Sequence, residues 1–110
     1  MKTILVIGNG LAGMTAAIRA AELGCSVILA ALTEPNRSQS VMASGGINAA
    51  LNTKGEDDSP AQHADDTLRA GCGLADPQAV LEMAEATPHI IEMLSRRGVV
   101  FDRDQTVAVN

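Results

Sequence analysis

An apolar run, Thr3-Ile4-Leu5-Val6-Ile7, leads into Gly8-Asn9-Gly10-Leu11-Ala12-Gly13 and then into a small-residue helical pattern, Met14-Thr15-Ala16-Ala17-Ile18-Arg19-Ala20-Ala21. Gly24 closes that pattern, and Ser26-Val27-Ile28-Leu29-Ala30 reads as a second strand. A strand, a glycine turn, a helix and a second strand make a βαβ unit, which commits the chain to an α/β, Rossmann-like fold. Each glycine has its own reason: Gly8 allows a tight turn after the strand, Gly10 lets the backbone reach a pyrophosphate, and Gly13 lets the helix lie close to the strand. Unpaired N–H groups at the helix start then face the phosphates, helped by the positive end of the helix dipole. The layout is that of a dinucleotide site. A glycine-rich turn without a ligand is the alternative, and the strand and helix on either side weigh against it.

The chain has 110 residues, enough for one small domain, and its 46% hydrophobic and 19% charged residues are those of a globular protein. Phe101 is the only aromatic residue, so the core is built from Ala, Val, Ile, Leu and Met. A net charge of −5 argues against nucleic acid as a partner. Arg96-Arg97, the adjacent basic pair, falls in an expected last helical turn where cations suit the dipole. No stretch approaches the roughly 20 apolar residues of a membrane span, so no direct span is expected. Cys25 and Cys72 have neither CxxC spacing nor clustered histidines, which points to two reduced thiols in a cytoplasmic setting rather than zinc or a redox pair.

Beyond the βαβ unit of residues 1–31, residues 32–59 change character. Pro35-Asn36-Arg37-Ser38-Gln39-Ser40, Ser44-Gly45-Gly46 and Asn52 to Ser59 read as a long loop with a short helix near Ile47–Leu51. The small residues at 38–46 favour close backbone approach to a ligand. Ser59-Pro60-Ala61-Gln62 has capping-box spacing and predicts a helix to about Ala70, ended by Gly71. Asp76-Pro77 opens a further helix, Thr87-Pro88 interrupts it, and a separate or kinked helix closes at Gly98. Val99-Val100-Phe101 reads as a short strand. Residues 60–110 thus form a region of helices with a short strand.

The glycine-turn start, combined with Arg37-Ser38-Gln39-Ser40-Val41-Met42-Ala43-Ser44-Gly45-Gly46-Ile47-Asn48-Ala49, resembles the flavoprotein subunit family of succinate dehydrogenases and fumarate reductases, which includes L-aspartate oxidase. His63-Ala64-Asp65-Asp66-Thr67, Ala70-Gly71-Cys72-Gly73-Leu74-Ala75-Asp76 and Arg97-Gly98-Val99-Val100-Phe101-Asp102-Arg103 continue the likeness in order. The resemblance implies FAD, with its ADP part on Gly8, Asn9, Gly10, Leu11, Ala12, Gly13 and Ala31. The flavin side then falls near Ser38, Gln39, Ser40, Ala43, Ser44, Gly45, Gly46 and Ile47. It also implies hydride transfer with fumarate or succinate, an iron–sulfur partner subunit, and a cytoplasmic location peripheral to the membrane through partner subunits.

Two departures from the family pattern matter. Many respiratory members carry a flavin-linking histidine where this chain has Gln39; glutamine has no nucleophilic ring nitrogen, so noncovalent FAD is expected. The ribose-binding acid usual about 20 residues past the glycines is missing, since Ala31 and Leu32 stand there and Glu34 comes slightly late. Glu34 reaches the ribose only if its loop bends back, and a solvated carboxylate is the simpler expectation. His63 is expected in a hydrogen-bonded structural role. The family's catalytic arginine and carboxylate clamps match nothing here, so no catalytic residue is assigned and the chain alone is expected to be inactive. Its ending, Val107-Ala108-Val109-Asn110, looks like an interruption inside a longer subunit whose capping domain is absent. Alternatives to the fumarate or succinate reading are L-aspartate oxidase, favoured by Asp66-Thr67-Leu68 and Ala70 to Leu74, and a non-enzymatic nucleotide-binding module.

Overall fold

The computed structural model describes residues 1–43 and 45–102, so Ser44, Arg103 and the Val107–Asn110 ending lie outside it. The chain divides into two compact units, Met1–Gly46 and Ile47–Asn110.

In the first unit, strand β1 (Thr3–Ile7), helix α1 (Leu11–Glu22) and strand β2 (Ser26–Ala30) form the predicted βαβ arrangement. The strands pair in parallel from Thr3 opposite Ser26 to Ile7 opposite Ala30. Parallel pairing needs a crossover, and α1 supplies it by packing on both strands. The helix ends where glycine allows it to. Gly24, at φ +82°, lets its own N–H reach the Ala21 carbonyl (2.9 Å) while the Cys25 N–H reaches that of Ala20 (3.0 Å). These two bonds satisfy carbonyls that the helix leaves open and turn the chain back towards β2.

A 3₁₀ turn at Pro35–Arg37 and a four-residue helix, α2 (Gln39–Met42), follow β2. The expected helix at Ile47–Leu51 is absent, so the short helix sits about eight residues earlier. Physically, Ser38 is extended and lets a turn start behind it, with the Met42 N–H returning to the Ser38 carbonyl (3.1 Å). Ile47–Leu51 lies instead between Gly46 and Asn52, which takes a left-handed φ of +50°, and a lone turn there has too few bonds to hold.

In the second unit, helices α3 (Pro60–Ala70) and α4 (Pro77–Arg96) pack around Ala64, Val80 and Ala84, with Leu68, Ala75 and Leu81 against them. Both predicted caps form: Ser59 Oγ accepts from the Gln62 N–H (3.1 Å) and Asp76 Oδ1 from the Gln78 N–H (2.9 Å). Gly71 is not itself the left-handed residue at the end of α3; Cys72 is, at φ +52°. Pro88 lies inside α4 and does not divide it, so of the expected separate or kinked helix the separate one is not found. Its neighbour Thr87 is buried and donates its hydroxyl to the Met83 carbonyl (2.5 Å), and packing on α3 holds the helix through the one missing backbone donor. The helix closes at Gly98 (φ +99°), as predicted. Val99–Phe101 is not a strand, because among the described residues no neighbouring strand pairs with it. Among the described residues no helix is long and apolar enough to cross a membrane.

Candidate cofactor site

The carboxyl ends of β1 and β2 open into a cleft of about 580 Å³. Ile7, Gly8, Asn9 and Gly10, residues 30–33 and residues 37–40 line it. Ligands of open α/β sheets bind in this place, beyond the strand ends. The geometry at each motif glycine is different. Gly8 sits at φ +112°, a conformation that a side chain resists, and its N–H extends the ladder to the Ala30 carbonyl (2.8 Å). A Cβ on Gly13 would lie 1.9 Å from the Gly8 carbonyl oxygen, so helix and turn touch backbone to backbone.

Helix geometry leaves the first N–H groups of α1 without carbonyl partners in their own helix. The Leu11 N–H is taken by Ser40 Oγ at 2.8 Å, reaching across from α2. Gly10, the N-cap, supplies no side-chain hydrogen bond to the first turn. Asn9 donates its carboxamide to the Thr33 carbonyl (2.6 Å) and ties the turn to the segment after β2. That segment therefore does bend back. Glu34 is exposed, as expected of a solvated carboxylate, and lines an adjoining cleft of about 560 Å³ with Asn9, Ala31, Leu32, Thr33 and Arg37.

Gly8, Asn9, Gly10, Ala31, Ser38, Gln39 and Ser40 thus converge on one cleft, with Leu11 joined through Ser40 and Gly13 through Gly8. Ala12 lies in the first turn of α1, and Ala43, Gly45 and Gly46 follow α2 without lining the cleft. Ile47 opens the second unit and lines a separate cleft of about 290 Å³ with Asn48, Ala50, Asp58, His63 and Asp66. There the Nδ1 of His63 is buried with no hydrogen-bond partner among the described residues, so the expected bonded role is not found at that atom. Thr33 and Arg37 are cleft residues that sequence reasoning left out; the Asn between two motif glycines was the signal for the first.

Ser38 also lines the cleft. Its side chain is buried, at 6% exposure, and its hydroxyl has no partner among the described residues. A buried hydroxyl left unpaired costs about 1–3 kcal/mol. Gly8, Asn9 and Gly10 line the cleft at the N-terminal end of α1, a place that fits a dinucleotide pyrophosphate.

The comparisons agree with this geometry. The flavoprotein subunit of succinate dehydrogenase from Bacillus subtilis is 52% identical over 92% of this chain and 17% of its own length. The L-aspartate oxidase of Streptomyces coelicolor is 38% identical over 90% of this chain and 17% of its own length. Among solved structures, the Mycobacterium smegmatis Sdh1 complex in the apo form superposes with a TM-score of 0.88 at 30% identity, over 100% of this chain and 19% of that one. The chain therefore spans less than a fifth of these relatives' length. A family profile described as the FAD binding domain matches residues 3–110, and the chain belongs to that family.

Proposed function

We propose that this chain is the N-terminal FAD-binding part of a flavoprotein subunit of the succinate dehydrogenase and fumarate reductase class. The observation that carries the reading is the meeting of Gly8, Asn9 and Gly10 with Ser38, Gln39 and Ser40 around one cleft beyond the strand ends. The amides of Ala12 and Gly13 hold the pyrophosphate, Ala31 and its neighbours border the adenosine end, and residues 38–47 approach the flavin side. When bound, FAD supplies hydride transfer to or from a C4 dicarboxylate. This chain's own residues bind and orient the cofactor; proton transfer and carboxylate clamping belong to the rest of the subunit, so the chain alone is inactive. An iron–sulfur partner, a cytoplasmic location and peripheral attachment to a membrane follow from the same reading. Gln39 faces the cleft with no group able to bond covalently to the flavin, and the cofactor is held noncovalently.

L-aspartate oxidation is the second reading, favoured by the 38% identity to an enzyme of that name. The test is to purify the natural gene product that contains this chain, record its visible spectrum and precipitate it with acid. A yellow protein that releases FAD to the supernatant supports the proposal; a colourless protein, or flavin that stays with the pellet, contradicts it or its noncovalent part. Fumarate reduction by a reduced viologen, set against aspartate oxidation, separates the two substrates.

A further inference from the structure

Ser40 lies 29 residues beyond Leu11 in sequence, yet its hydroxyl accepts the first amide of α1 at 2.8 Å. The same oxygen is 2.9 Å from the point where a Cβ on Gly10 would stand. One atom therefore meets both the helix start and the middle motif glycine. We propose that Ser40 is a positioning residue that pins the flavin-side segment to the phosphate turn, and that Gly10 is glycine because this hydroxyl occupies the space a side chain would need.

The usual reason for a glycine at that place is room for the pyrophosphate. Here the nearest atom to the missing Cβ is protein, the next being Ser40 Cβ at 3.9 Å. A side chain at residue 10 would push the hydroxyl off the Leu11 amide. Removing the hydroxyl would free the same amide. The two changes break one interaction and cannot add. A hydroxyl has two acceptor lone pairs and one donor hydrogen. With Leu11 on one lone pair, the Ser40 hydrogen remains to be given to an anionic oxygen, so the polarity of the helix start passes through the side chain. That last consequence rests on the FAD reading; the tether does not.

The experiment uses the natural gene product with Ser40→Ala, Ser40→Thr, Gly10→Ala and the double change Gly10→Ala with Ser40→Ala. Amide exchange at Leu11 is read by mass spectrometry or NMR, and FAD affinity by titrating the deflavinated protein. Ser40→Ala is expected to speed Leu11 exchange and weaken FAD by about fivefold each, the factor for one hydrogen bond of ordinary strength. Ser40→Thr keeps the hydroxyl and stays near the parent in both. The double variant binds FAD no more weakly than Gly10→Ala alone. Unchanged Leu11 exchange in Ser40→Ala overturns the tether, as does a double loss equal to the product of the single losses. Should Gly10→Ala fail to fold, the alanine and threonine variants of Ser40 still decide the matter. A parent that binds no FAD overturns the proposed function, while the exchange measurement continues to judge the tether.

Discussion

The carbonyl oxygen of Gly8 lies 1.9 Å from where a Cβ on Gly13 would be, a separation that no non-bonded pair of atoms tolerates. The obstacle is backbone in a hydrogen-bonded turn, because the Gly8 N–H is held by the Ala30 carbonyl. Gly13→Ala must therefore move α1 away from the turn. It is expected to destabilise the protein by about 3 kcal/mol, the upper end of overpacking costs, with loss of the bound cofactor. Thermal unfolding and flavin content of the purified variant check this.

Gly8→Ala meets no atom within 4 Å, and its penalty comes from φ +112° alone. A cost of about 1–2 kcal/mol is expected, smaller than that of Gly13→Ala. Denaturant midpoints of the two variants side by side test the order; a larger loss at Gly8 would contradict it.

Ser59→Ala removes the acceptor for the Gln62 N–H at the start of α3. About 1 kcal/mol should be lost, and Ser59→Asp should retain most of it because a carboxylate caps as well. The urea midpoint is the measurement.

Pro88→Ala should stabilise the protein. A helix-interior proline costs about 3 kcal/mol relative to alanine, and the looser unfolded chain of the variant returns about 1 of these. A gain near 2 kcal/mol in unfolding free energy is expected, since α4 already runs unbroken from Pro77 to Arg96. A loss of stability would mean that the proline ring itself fills space no methyl can.

What was legible in the sequence was local. The glycine turn, the Ser59 and Asp76 caps and the Gly24 and Gly98 closures each depend on residues within a few positions, and each formed where its chemistry required. What was not legible depended on partners far along the chain. Pro88 reads as a break until α3 is known to pack on α4. Val99–Phe101 has strand composition, but a strand is a relation to a neighbour, and none pairs with it among the described residues. In the site, the glycines announced themselves while the Ser40 to Leu11 and Asn9 to Thr33 bonds, which give the cleft its shape, span 29 and 24 residues and leave no periodic trace.

The register of β1 on β2 sets Thr3 beside Ser26, so every parallel pair in the sheet joins residues 23 apart. Such short loops close quickly, and a ribosome adding roughly 5–20 residues per second delivers the whole βαβ unit within seconds. In the 110-residue chain Leu5, Ile7 and Ile28 of these strands are more than half exposed. Apolar strand faces left open in this way are where chaperones and wrong strand partners bind.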